Sequence, residues 1–198
     1  ADLMTGSTYK SFGGPPSGMI LSNSAKLAER LDKIAFPGLT ANFDLSRVAA
    51  MVIAVLDLLT HGQEYAKMCI SNAKALAEFL HAGGCEVFQV YGKGFTNSQH
   101  VALPAEAYGG GNTASKLLEK ANLLTSGIGL PLPVVPGDFN AIRLGTQEIT
   151  RWGMYPESME IVADFFCRVL VQRENPEKLK SAVKEFRKQF QKLHFIRA

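Results

Sequence analysis

The sequence predicts an α/β protein that becomes α+β in its C-terminal part, on three observations. Apolar residues recur with helical periodicity up to about residue 83. From Cys85 the texture changes to short alternating runs separated by glycine- and proline-rich passages. Two further helical stretches, at about 156–172 and from Pro176, close the chain. Residues 1–83 therefore read as the end of a larger domain, and 84–198 as a smaller α+β domain.

The elements follow in order. Ala1-Asp2-Leu3-Met4 reads as the end of a strand entering a loop, which suggests a fragment whose preceding portion is missing. Gly18-Met19-Ile20-Leu21-Ser22 is a short apolar run bounded by turn residues, expected as a buried strand. Ser24 is placed to cap a helix from Ala25 to Ile34 with Leu27, Leu31 and Ile34 on one face. Phe36-Pro37-Gly38 ends it.

Asp44 precedes an almost wholly apolar helix, 45–59, which needs cover from a core or a partner subunit and is read first as a central packing helix. Gly62 breaks the pattern, and a second helix is expected over 64–81, ending at Gly83-Gly84. Cys85–Tyr91 and Ser98–Leu103 read as strands. Asn112 is placed to cap a helix over 113–121. A glycine- and proline-rich passage from Gly127 to Gly137 leads to a strand around Ala141–Leu144. The last helix carries an amphipathic stripe, Leu179, Val183, Phe186, Phe190 and Leu193.

Composition narrows the function classes. The chain has 198 residues, enough for one substantial core or two small ones, with 46% hydrophobic and 20% charged residues, as in a soluble globular protein. A net charge of +3 without a basic stripe interleaved with aromatics does not point to nucleic acid. The three cysteines, Cys69, Cys85 and Cys167, lack C-x-x-C spacing and suggest buried thiols in a reducing, cytoplasmic compartment rather than a disulfide frame or zinc site. No signal-peptide pattern opens the chain, and the longest apolar run, Val48–Leu56, is too short to span a membrane. The eight basic residues after residue 172 read as a solvated helix face.

Two segments carry chemistry. Thr5–Gly18 is rich in glycine and small hydroxylated residues around a single lysine, Lys10. Such a loop lets the backbone approach an anion, and its lysine can bind phosphate or form a Schiff base with a carbonyl cofactor. The same composition also describes a flexible loop with an exposed lysine. The G-x-x-x-x-G-K-[ST] spacing of a nucleotide phosphate loop is absent. Arg143, between Ile142 and Leu144, is a buried guanidinium if the strand is buried, and so needs either a structural carboxylate or a substrate carboxylate held bidentately. His61, His81, His100 and His194 show no metal-ligand spacing. A lysine loop and a carboxylate-binding arginine together suit an amino-acid enzyme using pyridoxal phosphate.

These blocks resemble one family. Thr5–Pro15, with S-T-Y-K-S and G-P, is similar to the cofactor-lysine segment of the serine (glycine) hydroxymethyltransferases. Phe36-Pro37-Gly38, Pro136-Gly137-Asp138 and Arg143-Leu144-Gly145-Thr146 through Thr150-Arg151-Trp152-Gly153 resemble later family blocks, in family order. The resemblance implies the C-terminal portion of a pyridoxal-phosphate fold type I, aspartate-aminotransferase-like chain. It implies pyridoxal 5'-phosphate held covalently on Lys10, with Ser7 and Thr8 beside the cofactor and Arg143 clamping the carboxylate of a small amino-acid substrate. It further implies cleavage of serine to glycine with one-carbon transfer to tetrahydrofolate, assembly as a homodimer or tetramer, and no turnover by this piece alone.

Four departures open an alternative: an α-substituted-serine hydroxymethyltransferase, a folate-independent aldolase, or a non-catalytic dimerisation module. Tyr9 stands where the family has histidine, and Pro16 where it has arginine. Leu39–Phe43 replaces G-Q-G-G-P, and Thr125–Gly129 replaces an asparagine-rich segment near the folate.

Overall fold

The computed structural model describes residues 1–42 and 44–197, so that Phe43, the last residue of the Leu39–Phe43 departure, lies outside the described residues, as does Ala198. The chain forms two compact units, residues 1–62 with 195–198, and residues 63–194. The boundary expected after residue 83 concerns the domains of a whole protein; the compact units of this chain divide at residue 62.

In the first unit, β1 (Met4–Ser7) pairs antiparallel with β2 (Gly18–Leu21), Met4 facing Leu21 and Ser7 facing Gly18. A strand was expected to end at Met4, but one begins there. β2 is not buried as its apolar run suggests: Ile20 and Leu21 are about half exposed, because a two-stranded ribbon has no second layer over that face within the unit. Helix α1 (Ala25–Lys33) starts where expected, the Ser24 hydroxyl accepting from the Leu27 amide at 3.3 Å. A π-helical turn, Ile34–Leu39, replaces its last residues and carries Phe36-Pro37-Gly38.

Helix α2 runs from Leu45 to Ala82 as one element, where two helices separated at Gly62 were expected. A lone glycine lacks a proline's power to stop a helix: it costs about 1 kcal/mol relative to alanine and is carried by its neighbours. Asp44 caps the start, its carboxylate accepting from the Ser46 amide at 2.9 Å and the Ser46 hydroxyl at 2.6 Å. The cover expected for 45–59 is not supplied by this chain. Among residues 45–62 only Ala54 is buried, while Leu45, Val48, Val52, Ile53 and Leu59 are exposed. By length and composition alone this helix could cross a membrane, its most apolar window having a mean hydropathy of 1.5 with 6% buried.

The second half of α2 lies in the second unit, where Ala73, Leu76, Ala77 and Leu80 enter the core. That core rests on a three-stranded antiparallel sheet in the order β3 (His100–Pro104), β5 (Ala141–Gly145), β4 (Ser126–Ile128). Val101 pairs with Leu144 and Leu103 with Ile142, so these four share the buried face. Helix α3 (Gly111–Glu119) adds Ala114 and Leu118, and α5 (Met159–Leu170) adds Phe165, Phe166, Val169 and Leu170. Each of these large side chains contributes about 2 kcal/mol of transfer free energy on burial. Helix α6 (Pro176–Arg187) buries Leu179 and packs Val183 and Phe186 against the same core, while the stripe continues to Phe190 beyond the helix end.

Two expectations fail here, and two elements were not foreseen. Cys85–Tyr91 is not a strand: Phe88 makes one backbone bond, to the Ala102 carbonyl at 2.9 Å, before glycines 92 and 94 at positive φ fold the chain back. Asn112 does not cap α3; Gly110 holds that position, and the Asp138 carboxylate accepts from the Asn112 and Thr113 amides, both at 2.9 Å, and from the Thr113 hydroxyl at 2.8 Å. Strand β4 and the short helix α4 (Gln147–Arg151) were not foreseen. Three residues of strand give too brief an alternation to recognise.

Candidate active site

Lys10 sits on the loop between β1 and β2, exposed, and that loop is tied shut beneath it. Thr8 is fully buried; its hydroxyl donates to the Pro15 carbonyl at 2.5 Å and the Ser17 carbonyl at 2.9 Å, and its amide to Ser17 at 3.0 Å. Gly14 donates to the Thr8 carbonyl at 2.7 Å and Gly13 to the Lys10 carbonyl at 2.9 Å. Thr8 is thus the fastener of the lysine loop, its hydroxyl turned to backbone. Ser7 is half-buried, paired with Gly18 in the ribbon. The Lys10 ammonium reaches outward, 5.8 Å from the centre of the Tyr9 ring.

Other residues of the first unit line a cavity of about 790 Å³, among them Ser17, Thr40, Asn42, Asp44, Arg47 and Met51. Arg47 donates to the Pro16 carbonyl at 3.0 Å and pairs with Asp44 at 3.3 Å, so the first turn of α2 holds the far end of the lysine loop. The Ser46 hydroxyl and amide, donating to Asp44, hold that carboxyl below its usual range.

Arg143 occupies the centre of β5, the middle strand, between Ala102 of β3 and Ser126 of β4. Its neighbours Ile142 and Leu144 are buried, but strand alternation turns Arg143 to the other face, where it is exposed. The expectation of a buried guanidinium is therefore corrected. It forms no ion pair with a carboxylate among the described residues. His100, at the start of β3, has its imidazole held below the usual histidine range by burial first and by the nearby Arg143 charge second.

Immediately after β5, a buried polar joint between α2 and α4, which the sequence reading missed, ties the end of that strand to α2. Thr146 donates its hydroxyl to the Cys69 carbonyl at 2.7 Å, and Thr150 to the Thr146 carbonyl at 2.6 Å. The Asn72 amide nitrogen donates to the Thr150 hydroxyl at 2.8 Å and the Met154 carbonyl at 2.9 Å, and the Tyr65 hydroxyl to the Gln147 carbonyl at 3.1 Å. Arg151 stacks 4.1 Å from the centre of the Tyr65 ring. Threonines four apart immediately after Arg143-Leu144-Gly145 were the available signal. Lys10 and Arg143 lie in different compact units.

Residues 1–166 match the family model described as serine hydroxymethyltransferase. The chain belongs to the serine hydroxymethyltransferase family. It is 48% identical to an α-methylserine aldolase of Ralstonia sp over 197 residues, covering 100% of this chain and 45% of that relative. It is 41% identical to a serine hydroxymethyltransferase of Korarchaeum cryptofilum, covering 98% of this chain and 46% of the relative. Among solved structures it resembles the L-threonine transaldolase of Pseudomonas fluorescens with a TM-score of 0.87 and 29% identity, over 99% of this chain and 45% of the other. The chain thus spans just under half the length of the relatives it matches, and it has the fold of the C-terminal part of a fold type I pyridoxal-phosphate enzyme.

Members of this hydroxymethyltransferase family depend on pyridoxal phosphate. The first unit offers such a group an exposed primary amine, Lys10, for its carbonyl; the cavity, which Lys10 does not line, carries the hydroxyl residues Ser17 and Thr40 and the Arg47 guanidinium, already paired with Asp44.

Proposed function

We propose that the protein containing this chain cleaves the Cα–Cβ bond of an α-substituted serine, with pyridoxal phosphate attached to Lys10 and the substrate carboxylate held by Arg143. The observation that carries the reading is Arg143: an exposed guanidinium on a rigid middle strand, with no carboxylate partner among the described residues. Such a group is preorganised for bidentate binding of a planar carboxylate. When bound, the cofactor supplies the electron sink for the carbanion left by bond cleavage. Thr8 and Ser7 keep the loop closed so that Lys10 is presented at one place. His100 stays neutral beside Arg143, so it neither competes for the substrate carboxylate nor offers it a second charge.

An α-substituted substrate and release of the aldehyde without tetrahydrofolate are supported by the 48% identity to an α-methylserine aldolase. They are supported also by Thr125–Gly129, where β4 takes the place of the family's asparagine-rich segment. Serine cleavage with transfer to tetrahydrofolate is the second reading, favoured by the family model over residues 1–166. The same proposal includes a homodimer, supported by the exposed apolar face of α2 between Leu45 and Leu59.

The test uses the full-length protein reconstituted with pyridoxal phosphate. Formaldehyde is measured with α-methylserine and with L-serine, each with and without tetrahydrofolate. The expected result is formaldehyde from α-methylserine regardless of tetrahydrofolate, with Arg143→Lys lowering kcat/KM at least ~100-fold. Turnover of serine alone, and only with tetrahydrofolate, would establish the second reading. Lys10→Ala is expected to remove the cofactor's visible absorption band; a band retained in that variant would place the cofactor lysine elsewhere in the full protein.

A further inference from the structure

We propose that Cys85 and Cys167 are a redox-modification site, a buried dithiol that small peroxides convert to an intrachain disulfide. The two sulfurs lie 3.5 Å apart although the residues are 82 positions apart in sequence. Cys85 follows the end of α2, its amide held by the Leu80 carbonyl at 2.9 Å, and Cys167 lies on α5, its sulfur 3.9 Å from the same carbonyl. Both side chains are almost fully buried. A disulfide needs its sulfurs about 2 Å apart, so closure asks for a movement of roughly 1.5 Å.

Gly83 makes this approach possible. A Cβ at that position would collide with the Cys167 sulfur, so the glycine leaves the room the sulfur occupies beside the backbone. The two thiols share a hydrogen bond in which either sulfur can donate, so the proton that one gives up stays within the pair. Either sulfur can attack the peroxide, the other then resolving the sulfenic acid. A metal role is not favoured, since no group of three metal-ligating side chains forms among the described residues.

The chemistry balances with hydrogen peroxide as the oxidant. One of the two sulfurs, as its thiolate, attacks one peroxide oxygen, breaking the O–O bond and releasing hydroxide, which takes up the proton that thiol gave up; the attacking sulfur becomes a sulfenic acid. The second sulfur then attacks the first, forming the S–S bond and expelling the hydroxyl, which leaves as water with the second thiol's proton. Two thiols and one peroxide give one disulfide and two waters. A dithiol reductant reverses it.

The site stands apart from the chemistry proposed for Lys10 and Arg143 and survives if that reading fails. Full-length holoprotein is treated with hydrogen peroxide under native conditions, then alkylated in denaturant and mapped as unreduced peptides. The expected result is a Cys85–Cys167 linked peptide, lost on treatment with dithiothreitol, while Cys69, which lies beside Tyr65 and Thr150, remains alkylated. Cys85→Ser and Cys167→Ser each abolish the linkage. Recovery of both cysteines as separately alkylated or separately oxidised peptides, under peroxide that fully converts an added thiol peptide to disulfide, would overturn the proposal.

Discussion

Asp138 shows how much one side chain holds in this fold. It satisfies two amides at the start of α3 and a threonine hydroxyl, and these bonds, the Asn112 amide foremost, lower its pKa to about 2. The ordinary carboxylate value of about 3.9 applies once the chain unfolds. The stability Asp138 contributes is therefore fully present above about pH 4 and is lost as pH falls toward 2. Asp138→Asn is expected to lower the thermal midpoint by a few degrees at pH 7, and the gap between variant and parent should close on acidification through that window. A gap unchanged at pH 2 would mean that the carboxylate charge is not what caps α3. Pro136-Gly137-Asp138 was legible as a family block, but its partner amides were not, because sequence spacing cannot show which helix a loop carboxylate meets. Arg143 illustrates the converse: its neighbours pointed to burial, and strand alternation turned it outward.

Among elements, α2 departs most from its sequence pattern. Gly62 lies within continuous helix, so Gly62→Ala should stabilise the protein by about 0.5–1 kcal/mol, because the glycine's conformational freedom in the unfolded chain is removed. The added methyl would meet only Leu58, at ordinary contact distance. Denaturant unfolding measures this, and destabilisation would favour the break that the periodicity suggests. The α2–α4 joint makes a second prediction. Asn72→Ala removes two buried hydrogen bonds and leaves the Met154 carbonyl without its donor, while the Thr150 hydroxyl keeps its bond to the Thr146 carbonyl, at a cost of about 1–3 kcal/mol. The Asn72 carbonyl oxygen has no partner among the described residues, so Asn72→Asp, which adds charge there, should be worse than alanine. The helices α1 and α6 were readable because a cap or an N-terminal proline coincides with an apolar stripe in them, and α5 from its apolar content alone; the joint was not, because its polar contacts link residues 78 and 82 positions apart.

For the molecule as a whole, burial is unequal. The core cluster draws on residues from Ala73 to Leu179, whereas α1 contains no buried residue at all. Hydrogen exchange of this chain should therefore be slowest at Leu76–Leu80, Leu103 and Ile142, and at least ~100-fold faster across β1, β2 and α1. Uniform protection would show that the first unit has a core of its own. The change of texture at Cys85 revealed that an α+β part exists, and the compact unit proved to begin earlier, inside α2, because the second half of that helix supplies one wall of its core.

The Asp138 cap also bears on how the chain is made. Translation proceeds from the N-terminus, so Asn112 and Thr113 are joined long before the carboxylate that receives their amides. Until that residue is synthesised, the first amides of α3 lack this acceptor, and the middle strand of the sheet, β5, follows only after it. The core of the second unit is completed later still, since α5 and α6 supply Phe165, Phe166, Val169, Leu170 and Leu179 to it.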